Sequence, residues 1–110
     1  MASAFKTETA VDIGTGLSSV YTCPSSTTTT IIGLYICNVA GADITATVQL
    51  YNASANHHAS IVNGVEIPAG STLAPIGGDA KVVLEAGDII KCQSNTTSSV
   101  DIVLSYLEQT

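Results

Sequence analysis

Ile67-Pro68-Ala69-Gly70-Ser71-Thr72-Leu73, Ile76-Gly77-Gly78 and Lys81-Val82-Val83-Leu84-Glu85-Ala86-Gly87-Asp88-Ile89-Ile90-Lys91, closing on Val100-Asp101-Ile102-Val103-Leu104-Ser105-Tyr106-Leu107-Glu108, decide the fold. Short apolar runs alternate there with Gly or Pro-Ala-Gly punctuation, the pattern of antiparallel strands joined by tight turns. Lys81–Glu85 has a helical alternative, with Asp79 as cap and Gly87 as stop. The segment is too short to hold a helix by itself, and Val82-Val83 favour extended backbone, so it reads as strand. The closing run points Val100, Ile102, Leu104 and Tyr106 inward.

Working outward, the cleanest strand lies upstream. Ile44, Ala46, Val48 and Leu50 point one way, and Thr45, Thr47, Gln49 and Tyr51 the other. A slip of one residue would expose the whole apolar set, so register is strongly specified. Before it, Ile31-Ile32-Gly33-Leu34-Tyr35-Ile36-Cys37 is apolar on both faces, which predicts a central strand covered on each side, by this chain or by a neighbouring subunit. Ser25–Thr30 is low in complexity, loop first and extended at its threonine end. Asn52–Ser60 reads as a polar loop carrying His57 and His58. Ile61-Val62 and Val65–Ile67 then flank Asn63-Gly64, a hairpin signal. At the amino terminus, Phe5, Thr7, Thr9, Val11 and Ile13 share one face of a first strand, with Lys6, Glu8 and Asp12 on the other. Gly14-Thr15-Gly16 ends it, and Leu17–Thr22 forms a second strand stopped by Cys23-Pro24. Eight or nine short strands at this spacing predict an all-β domain, an antiparallel β-sandwich or jelly roll.

With 110 residues the chain is one domain, residues 1–110, with 1–10 a candidate edge strand or attachment arm. Charged residues make up only 11%, less than half the roughly 25% of ordinary soluble domains. A surface so poor in charge predicts cover by other subunits or a lining of threonine and serine hydroxyls, with a homo-oligomer, in the first place a trimer, as the expected form. The net charge of −6, with Lys6, Lys81 and Lys91 the only cations, argues against a nucleic-acid partner. No apolar run is long enough to span a bilayer, and Met1–Glu8 lacks a signal-peptide core, so neither membrane insertion nor Sec-type export is expected.

The chemistry-bearing residues assemble into no catalytic pattern. His57 and His58 are neighbours, and on extended backbone they point to opposite sides, so they do not chelate one metal. Gly14-Thr15-Gly16-Leu17-Ser18-Ser19 imitates a dinucleotide fingerprint, but Ser19 stands where the third glycine belongs and no helix pattern follows. Cys23, Cys37 and Cys92 are an odd set without metal or redox spacing. They read as reduced and buried, with one bridged pair or a cross-link between subunits as the rival reading. Glu66, Glu85, Asp88 and Asp101 flank strands or turns, where a solvated surface is the ordinary role. Asn52-Ala53-Ser54 and Asn95-Thr96-Thr97 match the glycosylation sequon by chance, given the absence of an export signal. No catalytic residue, metal ligand or cofactor is expected.

The stretch from Ile31 to Glu108 resembles small virion proteins of tailed bacteriophages of the marine and freshwater type. The resemblance is carried by Ile67–Leu73, Gly77-Gly78, Lys81–Asp88 and Leu104-Ser105-Tyr106-Leu107-Glu108: a proline-glycine turn, a glycine pair, a strand, an acidic glycine turn and a closing Ser-Tyr-Leu-Glu. It implies a non-enzymatic component of the virion, in the first place a capsid decoration or cement protein that contacts the major capsid protein. A neck, tail or fibre-base position, or a carbohydrate- or receptor-binding sandwich, is the alternative. The expected contact residues are those of the amino-terminal edge, Ala4, Phe5, Lys6, Thr7, Glu8 and Thr9, together with Tyr35.

Overall fold

The computed structural model describes residues 2–110. Nine strands make it up: β1 (Ser3–Ile13), β2 (Ser18–Thr22), β3 (Thr28–Asn38), β4 (Ile44–Asn52), β5 (His57–Ile67), β6 (Thr72–Ile76), β7 (Val82–Leu84), β8 (Ile89–Ser94) and β9 (Val100–Gln109). They form two antiparallel sheets packed face to face, one ordered β1-β9-β3-β6 with β7 also on β3, the other ordered β2-β8-β4-β5. Each sheet draws strands from both ends of the chain, as a jelly roll does. The all-β sandwich expected from the sequence is the fold observed.

Period-two alternation builds the core. Ile31, Leu34 and Ile36 of β3, Ile44, Ala46 and Val48 of β4, and Val100, Ile102, Leu104 and Tyr106 of β9 are buried between the sheets. Lys81–Glu85 contains strand β7, as read. Polar groups that enter the core are all partnered; no buried side-chain nitrogen or oxygen among the described residues lacks a hydrogen bond, as buried polar groups require.

Four local readings need correction. Asn63-Gly64 does not turn a hairpin, because β5 runs straight through it opposite β4. The register shifts between the pairs Ala46–Val65 and Val48–Val62, so the glycine forms a bulge, with Gly64 at φ 62°. Asn-Gly supplies the left-handed conformation that a bulge and a hairpin turn both need, and pairing with β4 selects the bulge. For the same reason His57 and His58 lie on β5 rather than in a loop. The first strand is also bulged: its register against β9 shifts between Ala10 and Ile13, with Asp12 at φ 55°. Ile13 therefore enters the core while Phe5, Thr7, Thr9 and Val11 face outward, and the five residues do not share a face. Asp88 is buried, not solvated: its carboxylate accepts from the amides of Ala53 (3.0 Å) and Glu85 (2.9 Å), which ties two turns together.

Candidate functional site

The uncommon feature of this surface is the outer face of the β1-β9-β3-β7 sheet. Register places Phe5 beside Leu107, Leu107 beside Thr30 and Thr30 beside Val83 in one row; Thr9, Val103 and Tyr35 form another. Phe5, Val11, Tyr35, Val83 and Val103, 41–76% exposed, are five of the eight large hydrophobic residues left open to solvent among the described residues. Scattered singly they would be unremarkable, but here they share one face, in two groups on either side of the Thr7–Ser105–Gly33 row. The hydroxyls of Thr7, Thr9, Thr30 and Ser105 lie among them. Tyr35 lies back over Gly33, where a Cβ would meet its ring at 3.5 Å, an ordinary van der Waals contact.

This outer face splits the residues expected to make contact. Phe5, Thr7, Thr9 and Tyr35 lie on it, whereas Ala4, Lys6 and Glu8 are on the opposite side of β1, turned toward the second sheet. Val11 extends the β1 face already read from the sequence, while Val83, Val103 and Leu107 join the patch without having been singled out. The signal of these three was the parity of β9 and β7, readable only once the pairing of β9 between β1 and β3 is known.

The inward-turned residues have a structural task at the open end of the sandwich. Lys6 Nζ donates to Glu108 Oε1 (2.7 Å), and Tyr21 of the other sheet donates its hydroxyl hydrogen to Glu108 Oε2 (2.6 Å). The Tyr21 oxygen lies 2.8 Å from the Thr29 hydroxyl, and its ring packs at a tilt against Tyr106, with ring centres 4.4 Å apart. The Lys6 hydrogen bond, seconded by that of Tyr21, holds the Glu108 carboxyl below its ordinary range. Burial, then the bond to Glu108, drives the Tyr21 phenol far above its own. Charge pointing inward along an edge strand also discourages indiscriminate edge pairing.

The opposite outer face, on β4, β5 and β8, is polar. Its most concentrated feature is Tyr51 packed at a tilt against His58 (ring centres 4.9 Å apart), with Lys91 Nζ 3.2 Å from His58 Nε2 and 5.3 Å from the Tyr51 ring centre. His57, one residue along, alternates to the other side of β5. Among the described residues no three His, Cys, Asp or Glu side chains converge as a metal site, and no cavity opens.

All three cysteines are free. Cys23 and Cys92 are buried, and burial pushes the Cys92 thiol up to about 12. Cys37 is half-buried, on the outer face two residues from Tyr35.

No protein-family model matches the chain, and no curated protein matches it. Among solved structures, its fold is similar to a chain of the Bacillus endospore appendages, which form a family of disulfide-linked pili. The TM-score is 0.59 at 10% identity, over 99% of this chain and 87% of that one. At that identity the likeness is one of fold, shared with a structural appendage protein.

Proposed function

We propose that the protein is a non-enzymatic structural subunit of a larger particle, docked through the outer face of the β1-β9-β3-β7 sheet. Its place in this reading is the phage virion, assembled in the host cytoplasm, where it decorates and cements the capsid shell in contact with the major capsid protein. The observation that carries the proposal is the concentration of five exposed large hydrophobic residues on one sheet face, the mark of a surface built to be covered. The virion resemblance of Ile31–Glu108 supplies the particle.

The fold likeness favours a second reading, a subunit of a surface appendage. In that reading the linkage differs from the neighbour's. Cys23 and Cys92 are buried, leaving Cys37 as the one partly exposed thiol. A single reachable thiol joins two chains and no more, so a continuous series of subunits would be held by packing rather than by disulfides.

Electron cryo-microscopy of purified particles, with the protein tagged at its carboxyl terminus, tests the proposal. Density for the chain on the capsid shell supports decoration. Its presence on filaments instead moves the reading to the appendage, and its absence from both overturns a structural role.

A further inference from the structure

Many residue pairs form a β-bulge, but Asn63-Gly64 carries a chemistry of its own. We infer that it is a site of covalent self-modification, deamidation of Asn63 through a cyclic imide, and that the Thr47 hydroxyl is the latch that sets its rate.

The nucleophile in this reaction is the backbone nitrogen of the following residue, so that residue's side chain decides access. Asn38, Asn52, Asn56 and Asn95 precede Val39, Ala53, His57 and Thr96, and Asn63 alone precedes a glycine. Without a Cβ the backbone is approached most closely. The space around Gly64 is open as well, since a Cβ placed there would meet nothing within 4 Å. Asn63 and Gly64 are both exposed, so water and hydroxide reach them. Hydroxide removes the Gly64 amide proton, and the nitrogen attacks Asn63 Cγ to close the imide. The Cγ–Nδ2 bond breaks, and ammonia leaves with a proton taken from water, which restores the hydroxide. Water then opens the ring at either carbonyl. The product is aspartate in its ordinary linkage, or isoaspartate joined to Gly64 through its side-chain carboxyl. In sum one water is consumed and one ammonia released, and nothing is oxidised or reduced.

The fold supplies the control. Ala46 pairs with Val65 and Val48 with Val62, so Thr47 stands opposite both Asn63 and Gly64, outside the one-to-one register of the ladder. There the Gly64 amide donates to Thr47 Oγ1 at 3.0 Å. That bond engages the proton that hydroxide must remove and resists the rotation that would bring the nitrogen to Cγ. The latch is mounted firmly, because β4 lies between β5 and β8 and Thr47 pairs with Gln93 on its other side. The modified strand is the freer one: β5 is the edge of its sheet. Releasing the latch therefore needs a local opening, not unfolding of the domain. Both products mark the strand. Each adds one negative charge to the net −6, and isoaspartate adds a backbone atom where the bulge already holds an extra residue.

Incubation of the full chain at mildly alkaline pH, followed by peptide-resolved mass spectrometry with isoaspartate separated from aspartate, tests the inference. Thr47→Val keeps the β-branched shape and removes the acceptor; Thr47→Ser keeps the acceptor. Urea midpoints of each variant report any general loosening. The expected result is conversion of Asn63 ahead of Asn52, Asn56 and Asn95, about two- to tenfold faster in Thr47→Val, the factor set by losing one ordinary hydrogen bond. Thr47→Ser should stay near the wild-type rate, and the other asparagines should not change. Should Thr47→Val fail to fold, Thr47→Ala removes the same hydroxyl and carries the test. Asn63 lagging behind the other asparagines in the hydroxyl-free variant overturns the site. Equal Asn63 rates with and without the hydroxyl, or an acceleration shared by every asparagine, overturns the latch.

Discussion

Asn38, at the end of β3, offers the sharpest test of how this sandwich is held. Its side chain is buried and fully engaged: Nδ2 donates to the carbonyls of Ala42 and Ile67, both at 2.9 Å, while Oδ1 accepts from the Ala40 amide at 2.8 Å. Three segments that are distant in sequence or separated by a turn are thereby fastened at one point. Asn38→Asp preserves volume and the bond from Ala40 but sets a carboxylate oxygen against two carbonyl oxygens. Each carbonyl left without a donor costs about 1–3 kcal/mol, and the poorly solvated charge adds to that. The expected loss at pH 7 is about 3–5 kcal/mol, a large part of the roughly 5–15 kcal/mol that holds a domain together. Asn38→Ala loses the same donors without introducing charge, so it should be the milder change, at about 2–4 kcal/mol. The introduced carboxyl has its folded-state pKa raised above the unfolded value of about 3.9, so the folded form binds the extra proton. The part of its penalty due to charge is therefore absent below the unfolded pKa, grows as pH rises from there, and levels off above the folded pKa, while the carbonyl that a single O–H cannot reach stays unpaired throughout. Urea denaturation of wild type and both variants at acidic and neutral pH reads this directly. If the aspartate and alanine variants are equally stable at pH 7, or their order does not change on acidification, the account of Asn38 as a double donor is wrong.

Three further outcomes follow from the packing. In the native protein at pH 8 a thiol reagent should titrate Cys37 quickly and leave Cys92, whose burial holds it at about 12, unreacted until urea is added; rapid modification of all three native thiols would contradict the burial. Glu108 has its folded pKa depressed by Lys6 and Tyr21, so its contribution is present above the unfolded value of 4.5 and is lost as pH falls through the folded one. Glu108→Gln should accordingly flatten the acid limb of a plot of urea midpoint against pH, and an unchanged limb would remove Glu108 from the network. Gly64→Ala places a side chain at φ 62° and should destabilise by about 1 kcal/mol, whereas a neutral or stabilising change would mean that β5 does not carry this bulge.

What was legible in the sequence was set by how one-sided each strand is. Ile44–Leu50 and Val100–Tyr106 alternate cleanly, and both bury the side that was read as inward. Val82–Leu84 declared itself through β-branching. Asn63-Gly64 did not, because one local conformation serves two purposes and only the partner strand β4 decides between them. The pairing of β1 with β9 joins the two ends of the chain, and no local pattern encodes a contact at that separation. Asp88 looked like an ordinary turn residue because its acceptors' partners, Ala53 and Glu85, are brought together only by the packing of two loops.

The first strand shows why the candidate site was half visible. Its outward set, Phe5, Thr7, Thr9 and Val11, is more apolar than its inward set, Lys6, Glu8 and Ala10, so hydropathy alone would turn it the wrong way round. Pairing with β9 overrules that preference: Lys6 and Glu8 lie opposite Tyr106 and Leu104, whose burial fixes which side of the sheet is inside. The inversion is affordable because the inward charges reach partners at the open end of the sandwich, with Lys6 on Glu108. Phe5 and Val11 gain little burial from their own chain. A strand that leaves its largest apolar side chains outside recovers burial energy only when something else covers them, at about 25 cal/mol per Å² of apolar surface. Tyr35, Val83 and Val103 lie on the same side of the same sheet, so one cover would serve them all. That is why the outer face, rather than the strand edge alone, is the surface through which we propose this protein assembles.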